Sequence, residues 1–133
     1  ETFYRQYIRM KVTLNFDNFL QTFRLPVPVT VSRVRVLQVS VYNDSLTLSG
    51  EPLYISINRF DDSVDLTSQR RYLFSCYPTV TGSWFIATRD LNDWDYDHYP
   101  QTIQELTVQL YTKNGYTDTA LGANEVSIEL ELL

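Results

Sequence analysis

The segment RDLNDWDYDHYP, Arg89 to Pro100, gathers four aspartates, three large aromatic residues and the only histidine of the chain. Those residue types can do three kinds of chemistry. Asp93, Asp95 and Asp97 stand at alternate positions, as carboxylates do at the start of an EF-hand loop, where calcium gathers roughly six to eight oxygens. The match stops at the next residue: His98 occupies the position that needs glycine for the sharp turn, and Gln104 the position that needs a bidentate glutamate. A looser cation site shared with Asp61, Asp62 or Asp65 stays open, but no metal is assigned and no cofactor is expected. As an active site, paired carboxylates would serve glycoside hydrolysis as acid and base while Trp94 stacked on a sugar ring. A serine hydrolase would have to be assembled around His98 alone, without a GxSxG elbow anywhere in the chain. No enzyme is expected. As a contact loop, Asp90, Asp93, Trp94, Asp95, Tyr96, Asp97, His98 and Tyr99 combine the aromatic residues that fill interface centres with acids that select charge at the rim. The competing structural role for the same loop is to fold back on its own domain, with Trp94 plugging the open end of the core.

The elements that must position this loop are strands. Tyr occurs 10 times and Phe 7, beside abundant Val and Thr, the residues that suit a pleated, half-buried surface. Alanine, the best helix former, appears only at Ala87, Ala120 and Ala123. A chain of 133 residues fits one domain, residues 1–133, able to bury roughly two-thirds of its unfolded surface. The net charge of -5 and pI near 4.7 argue against nucleic acid or anionic lipid as partners. No apolar run approaches the roughly 18 residues of a spanning helix, so a soluble chain without membrane insertion is expected. Cys76 is alone, which excludes an internal disulfide and suits a small buried hydrophobe.

Apolar and polar residues alternate along most of the chain. Met10, Val12, Leu14 and Phe16 form one face of a strand that begins near Ile8, and Phe23, Leu25, Val27, Val29 and Val31 one face of the next. Pro26 and Pro28 cannot donate to a central ladder, so part of that second run should lie at an edge or outside regular pairing. In RVRVLQVSVY the phase changes from Val34 and Val36 to Leu37, Val39 and Val41, which predicts a bulge or a change of sheet near Val36 and Leu37. Further strands are expected over 53–58, 70–77, 84–88, 106–111 and 126–132, with short helical turns allowed only at 102–106 or 120–124. About eight strands in one small domain most economically make an all-β, single eight-stranded jelly-roll sandwich. Alternating its connections between the two ends puts RFDDSVDLTSQR and RDLNDWDYDHYP at the same end. It leaves DNFLQ, NDSLTLSG, PTVTG and KNGYTDTALGAN at the other.

The layout FDNFLQTFRLPVPVTV, then EPLYISINRF, IQELTVQLYTKNGY and a terminal VSIELEL resembles the single jelly-roll capsid proteins of double-stranded DNA viruses, in particular the penton or vertex proteins of virophages and polinton-like viruses. The resemblance implies a virion protein of an icosahedral shell, five copies around a vertex, and partners that are copies of itself and other capsid proteins. It brings no catalytic residues. The inserted second domain of the fuller penton pattern is missing, which leaves any spike or receptor role without a carrier. The alternative carried beside it is a carbohydrate-binding β-sandwich module using loop 89–100, with Trp84, Trp94, Tyr96 or Tyr99 as the stacking platform.

Overall fold

The computed structural model describes residues 9–43, 52–77, 83–88, 93–112 and 125–133, with only the backbone of residues 43 and 83–88. The regular elements among the described residues are all strands: β1 Met10–Phe16, β2 Leu20–Asn43, β3 Leu53–Ile57, β4 Ser63–Asp65, β5 Arg70–Tyr72, β6 Phe74–Cys76, β7 Ser83–Thr88, β8 Tyr96–Thr112 and β9 Glu125–Leu132. The all-β class expected from composition and alternation is therefore the observed one. Among the described residues no helix is long and apolar enough to cross a membrane.

β2 organises the rest. A straight strand of its 24 residues would run about 79 Å at roughly 3.3 Å per residue, against a radius of gyration of about 14 Å for a compact chain of this length. It must bend, and it does so where its ladders slip. Its first part, Leu20 to Val34, pairs with β8, and its last part, Val34 to Tyr42, pairs with β9 while Gln38 to Asn43 pairs with β7. The path β1-β9-β2-β8-β3-β6, with β7 beside β2, is antiparallel throughout. It curls into one half made of β1, β9, β2 and β7 and another made of β2, β8, β3 and β6.

Two of the three slips have a cause in the sequence. Between Arg24, opposite Glu105, and Val29, opposite Ile103, four residues of β2 face only Gln104 of β8. Pro26 and Pro28 fall inside that excess, out of regular pairing as their missing N–H groups require. Near the other end, Val36 opposes Leu130 but Gln38 opposes Glu129, so Leu37 is the extra residue of a bulge. The bulge reconciles the two phases: Val34 and Val36 on one side of it, and Val39 and Val41 on the other, are all buried. Without it one pair would turn to solvent.

The halves close over one apolar core. Val34, Val36, Val39, Val41, Ile128 and Leu130 from the first half belong to the same cluster as Ile55, Ile57, Leu106, Val108 and Leu110 from the second. The elements depart from the sequence reading in four places. The run 70–77 is two short strands, because Leu73 turns inward with its N–H on the Ile55 carbonyl at 2.8 Å. The connection RFDDSVDLTSQR, 59–70, carries β4 and the start of β5, which pair as a hairpin whose turn is closed by Gln69 N–H on the Asp65 carbonyl at 2.8 Å with Gln69 at φ 61. Tyr96 to Pro100, expected in a loop, and Thr102 to Leu106, allowed a helical turn, both belong to β8. The connections NDSLTLSG, PTVTG and KNGYTDTALGAN and the possible turn at 120–124 lie outside the described residues, apart from the backbone of Asn43.

Candidate functional site

β7 and β8 follow one another along the same edge of β2. Thr88 is opposite Gln38 and Tyr96 is opposite Val34, so seven residues of chain are inserted where three would span the gap. The gap leaves the Val36 N–H without a strand partner on that edge, and Asp95 supplies one. Its backbone N–H donates to the Val34 carbonyl at 3.0 Å, and its carboxylate accepts the Val36 N–H at 2.7 Å. Asp95 thus substitutes for a ladder residue.

Beneath this insertion lies a buried ion pair. Arg35 and Glu131 are directly opposed across β2 and β9, on the face away from Val34 and Val36. Arg35 Nε donates to Glu131 Oε1 at 2.8 Å and Nη2 reaches the same oxygen at 2.6 Å, with side-chain exposures of only 9% and 5%. Trp94 covers them, its ring centre 4.3 Å from the Arg35 guanidinium carbon and 5.7 Å from that of Arg33. Asp97 holds the exposed Arg33 at 3.1 Å. Folding back on its own chain is therefore what Trp94 does, although it caps a charged pair and not the apolar core.

Beyond the insertion, β8 delivers Tyr96 inward against Phe60, with centroids 4.9 Å apart, and turns Asp97, His98 and Tyr99 outward. The Tyr96 hydroxyl donates to the Tyr99 carbonyl at 3.2 Å and accepts from Gln101 Nε2 at 2.8 Å. His98 Nε2 lies 3.0 Å from Asp62 Oδ1, and Gln101 also donates to the Arg59 carbonyl at 3.1 Å. These contacts join the 59–62 turn to the 96–101 segment, so the two acidic connections share one end of the sheet, as the strand count predicts. The turn is tight, with Arg59 at φ 78 and Phe60 N–H on the Ile57 carbonyl at 2.9 Å. A non-glycine residue in that region is held by its surroundings, here by a fully buried Phe60.

The acids brought to this end do not converge. Asp95 caps β2, Asp97 pairs with Arg33, Asp62 meets His98 and Asp61 turns elsewhere, while Asp93 is exposed. Among the described residues no group of three or more His, Cys, Asp or Glu side chains is placed to hold a metal ion. Asp90 and the side chain of Trp84 lie outside the described residues. Of the remaining aromatics proposed as a sugar platform, Tyr96 is buried and Trp94 is engaged by arginines. Tyr99, 84% exposed, alone stands open.

Beside this end is a polar cleft that sequence reasoning did not single out, lined by Ser56, Asp61, Arg70, Arg71, Gln109 and Tyr111. Its floor is the outer face of β3 and β8, where Tyr54 opposes Tyr111 and Ser56 opposes Gln109. Tyr54 stacks on Tyr111 at 5.1 Å and meets Tyr72 edge-on at 5.0 Å, and the Tyr111 hydroxyl donates to the Arg71 carbonyl at 3.1 Å. Those contacts fasten the β4–β5 hairpin over the sheet. Asp61 accepts from Ser56 Oγ and from the Ile57 N–H at 2.8 Å, yet burial outweighs both bonds and pushes its carboxyl above the usual range. Burial likewise raises the Tyr111 phenol to about 12. The outward phase of Tyr54, Ser56, Gln109 and Tyr111 is readable in the sequence; the register that sets them side by side is not. Comparison with protein-family models and with curated proteins gave no match to this chain.

Proposed function

We propose that the chain is a structural subunit, a single jelly roll that assembles with copies of itself and with other capsid proteins at the vertex of an icosahedral virion. Two four-stranded halves closed over one core support that architecture, and the sequence layout supports the family. The observation that carries the reading is how the end loop uses its side chains. The groups that could do chemistry, Trp94, Asp95, Asp97 and His98, are taken up in contacts within the chain, and the large side chains left without such a role at this end are apolar or aromatic. Leu66 at the tip of the β4–β5 hairpin is 76% exposed and Tyr99 is 84% exposed. Large side chains held out on rigid backbone lower the ordering cost of lateral association, and mixed polar surroundings suit a contact made by loops and not by a broad apolar face.

Light scattering on the purified chain from micromolar to millimolar concentration tests this. A pentamer or larger ring is expected, weakened by Leu66→Glu combined with Tyr99→Glu. A monomer over the whole range overturns the reading.

A further inference from the structure

The polar cleft lies between the outer face of β3 and β8 and the β4–β5 hairpin. Its volume of about 370 Å3 is near the lower end of the roughly 300–1,000 Å3 of small-molecule sites, room for one sugar-sized ring. One wall carries Arg70 and Arg71. Among the described residues neither guanidinium has a carboxylate within 4.0 Å, and Arg70 is steadied by lying 5.0 Å from the centre of the Tyr111 ring. The other side presents Ser56, Asp61 and Gln109. Each Asp61 oxygen accepts one hydrogen bond from inside the chain, Oδ1 from Ile57 and Oδ2 from Ser56, and each keeps a second lone pair for a ligand hydroxyl.

The cleft is therefore bipolar. An inorganic anion would satisfy the arginines and be opposed by Asp61. A neutral sugar would satisfy the Asp61 side and leave two guanidinium forks without a partner. We propose that the cleft binds a small carboxylate-bearing polyol, the class of the uronic and sialic acids. The ligand carboxylate sits on Arg70 and Arg71, and its hydroxyls donate to Asp61 and exchange hydrogen bonds with Ser56 and Gln109. Guanidinium groups match a carboxylate in two parallel bonds, which a lysine cannot do.

Saturation-transfer NMR on the intact chain, with glucuronic acid and N-acetylneuraminic acid as probes and glucose and inorganic phosphate as comparators, tests the proposal. At least one acidic sugar should bind saturably, about tenfold or more tighter than glucose and phosphate, the worth of one charge-assisted hydrogen bond. Arg71→Gln should weaken it by a similar factor, Arg71→Lys by less, and Arg24→Gln, on a distant exposed arginine, not at all. Gln109→Leu on the floor of the cleft provides a second loss that leaves both arginines in place. Saturation by neither acid, equal binding of phosphate, or wild-type affinity in both Arg71→Gln and Gln109→Leu overturns the proposal. Oligomeric state does not enter this measurement. A monomer that bound the acidic sugar would sink the assembly reading and leave this one standing.

Discussion

Replacing Glu131 by glutamine removes the negative charge from a pair that is almost wholly sealed from water. Arg35 and Glu131 meet at 2.6 Å and 2.8 Å with side-chain exposures of 9% and 5%, so neither charge can be rescreened by solvent in the folded state. Removing one partner of such a pair costs about 3–5 kcal/mol, because the other stays buried and unpaired. Glutamine keeps one acceptor for Arg35, which puts the expected loss at the lower end, about 3 kcal/mol. With a urea slope of about 2 kcal/mol per molar, the unfolding midpoint should fall by about 1.5 M. The double change Arg35→Met with Glu131→Leu should restore the stability to within about 1 kcal/mol of the native chain or raise it, since a well-packed apolar pair avoids both desolvation costs. Arg9, 3.6 Å from the same carboxylate but 58% exposed, should matter by less than about 1 kcal/mol when changed to alanine. A loss under about 1 kcal/mol for Glu131→Gln at an unchanged slope would mean that the pair is solvated, and the account of Trp94 as its cover would fall with it.

Trp94→Ala should cost about 1–3 kcal/mol in the same urea assay through the lost cation–π contact and the opened pair; a change below about 0.5 kcal/mol would be that of an ordinary surface residue. Asp61, raised by burial, binds its proton more tightly folded than unfolded. Its stabilising contribution is complete below the ordinary 3.8 and is lost as pH rises through the raised value. Asp61→Asn should accordingly flatten the fall of stability with rising pH in that window, and an unchanged pH profile would refute the assignment. Cys76 is buried and its thiol is pushed up to about 12, so a thiol reagent at pH 8 should label it only at the rate of unfolding; stoichiometric labelling of the folded chain would contradict the burial. Deleting Leu37 converts the β2 bulge to a regular ladder with Val36, Val39 and Val41 still inward. It should be tolerated better than deleting Val39, which removes a buried residue from a stretch where the ladder to β9 is regular. Equal losses in melting temperature would refute the phase argument.

Alternation made much of this fold legible. Leu14, Phe16, Leu106, Val108, Leu110, Val126, Ile128, Leu130 and Leu132 are inward by sequence phase and buried in fact. The prolines and the change of phase marked two of the places where β2 slips, because each breaks a rule that a regular ladder must keep. What the sequence could not mark was continuity. Nothing local says that the runs on either side of Ser32 are one strand, since the bend is set by which partners lie on each edge. Val27 shows the limit of phase alone, for it alternates correctly and is 56% exposed, carried out of the ladder between the prolines. At the site, the meeting of the two acidic connections follows from strand counting, and the His98–Asp62 contact agrees with it. The roles inside it do not follow: an aspartate whose neighbours suggest calcium instead caps a strand N–H, which depends on a gap between β7 and β8 that exists only once both have found β2.

β2 also has a mechanical consequence. At Val34 it passes from the β8 ladder to the β9 ladder, and that residue is opposite both Tyr96 and Leu132. Tension applied along β2 would not unzip one row of hydrogen bonds at a time; it would shear two ladders on opposite edges together, with the Arg35–Glu131 clasp one residue from the crossover. A pull across the face of the sheet meets no such arrangement, since β6 is a three-residue strand at one margin and can peel first. The molecule should therefore be stiff along one axis and yielding along another, and the stiff axis is the direction of its longest strand.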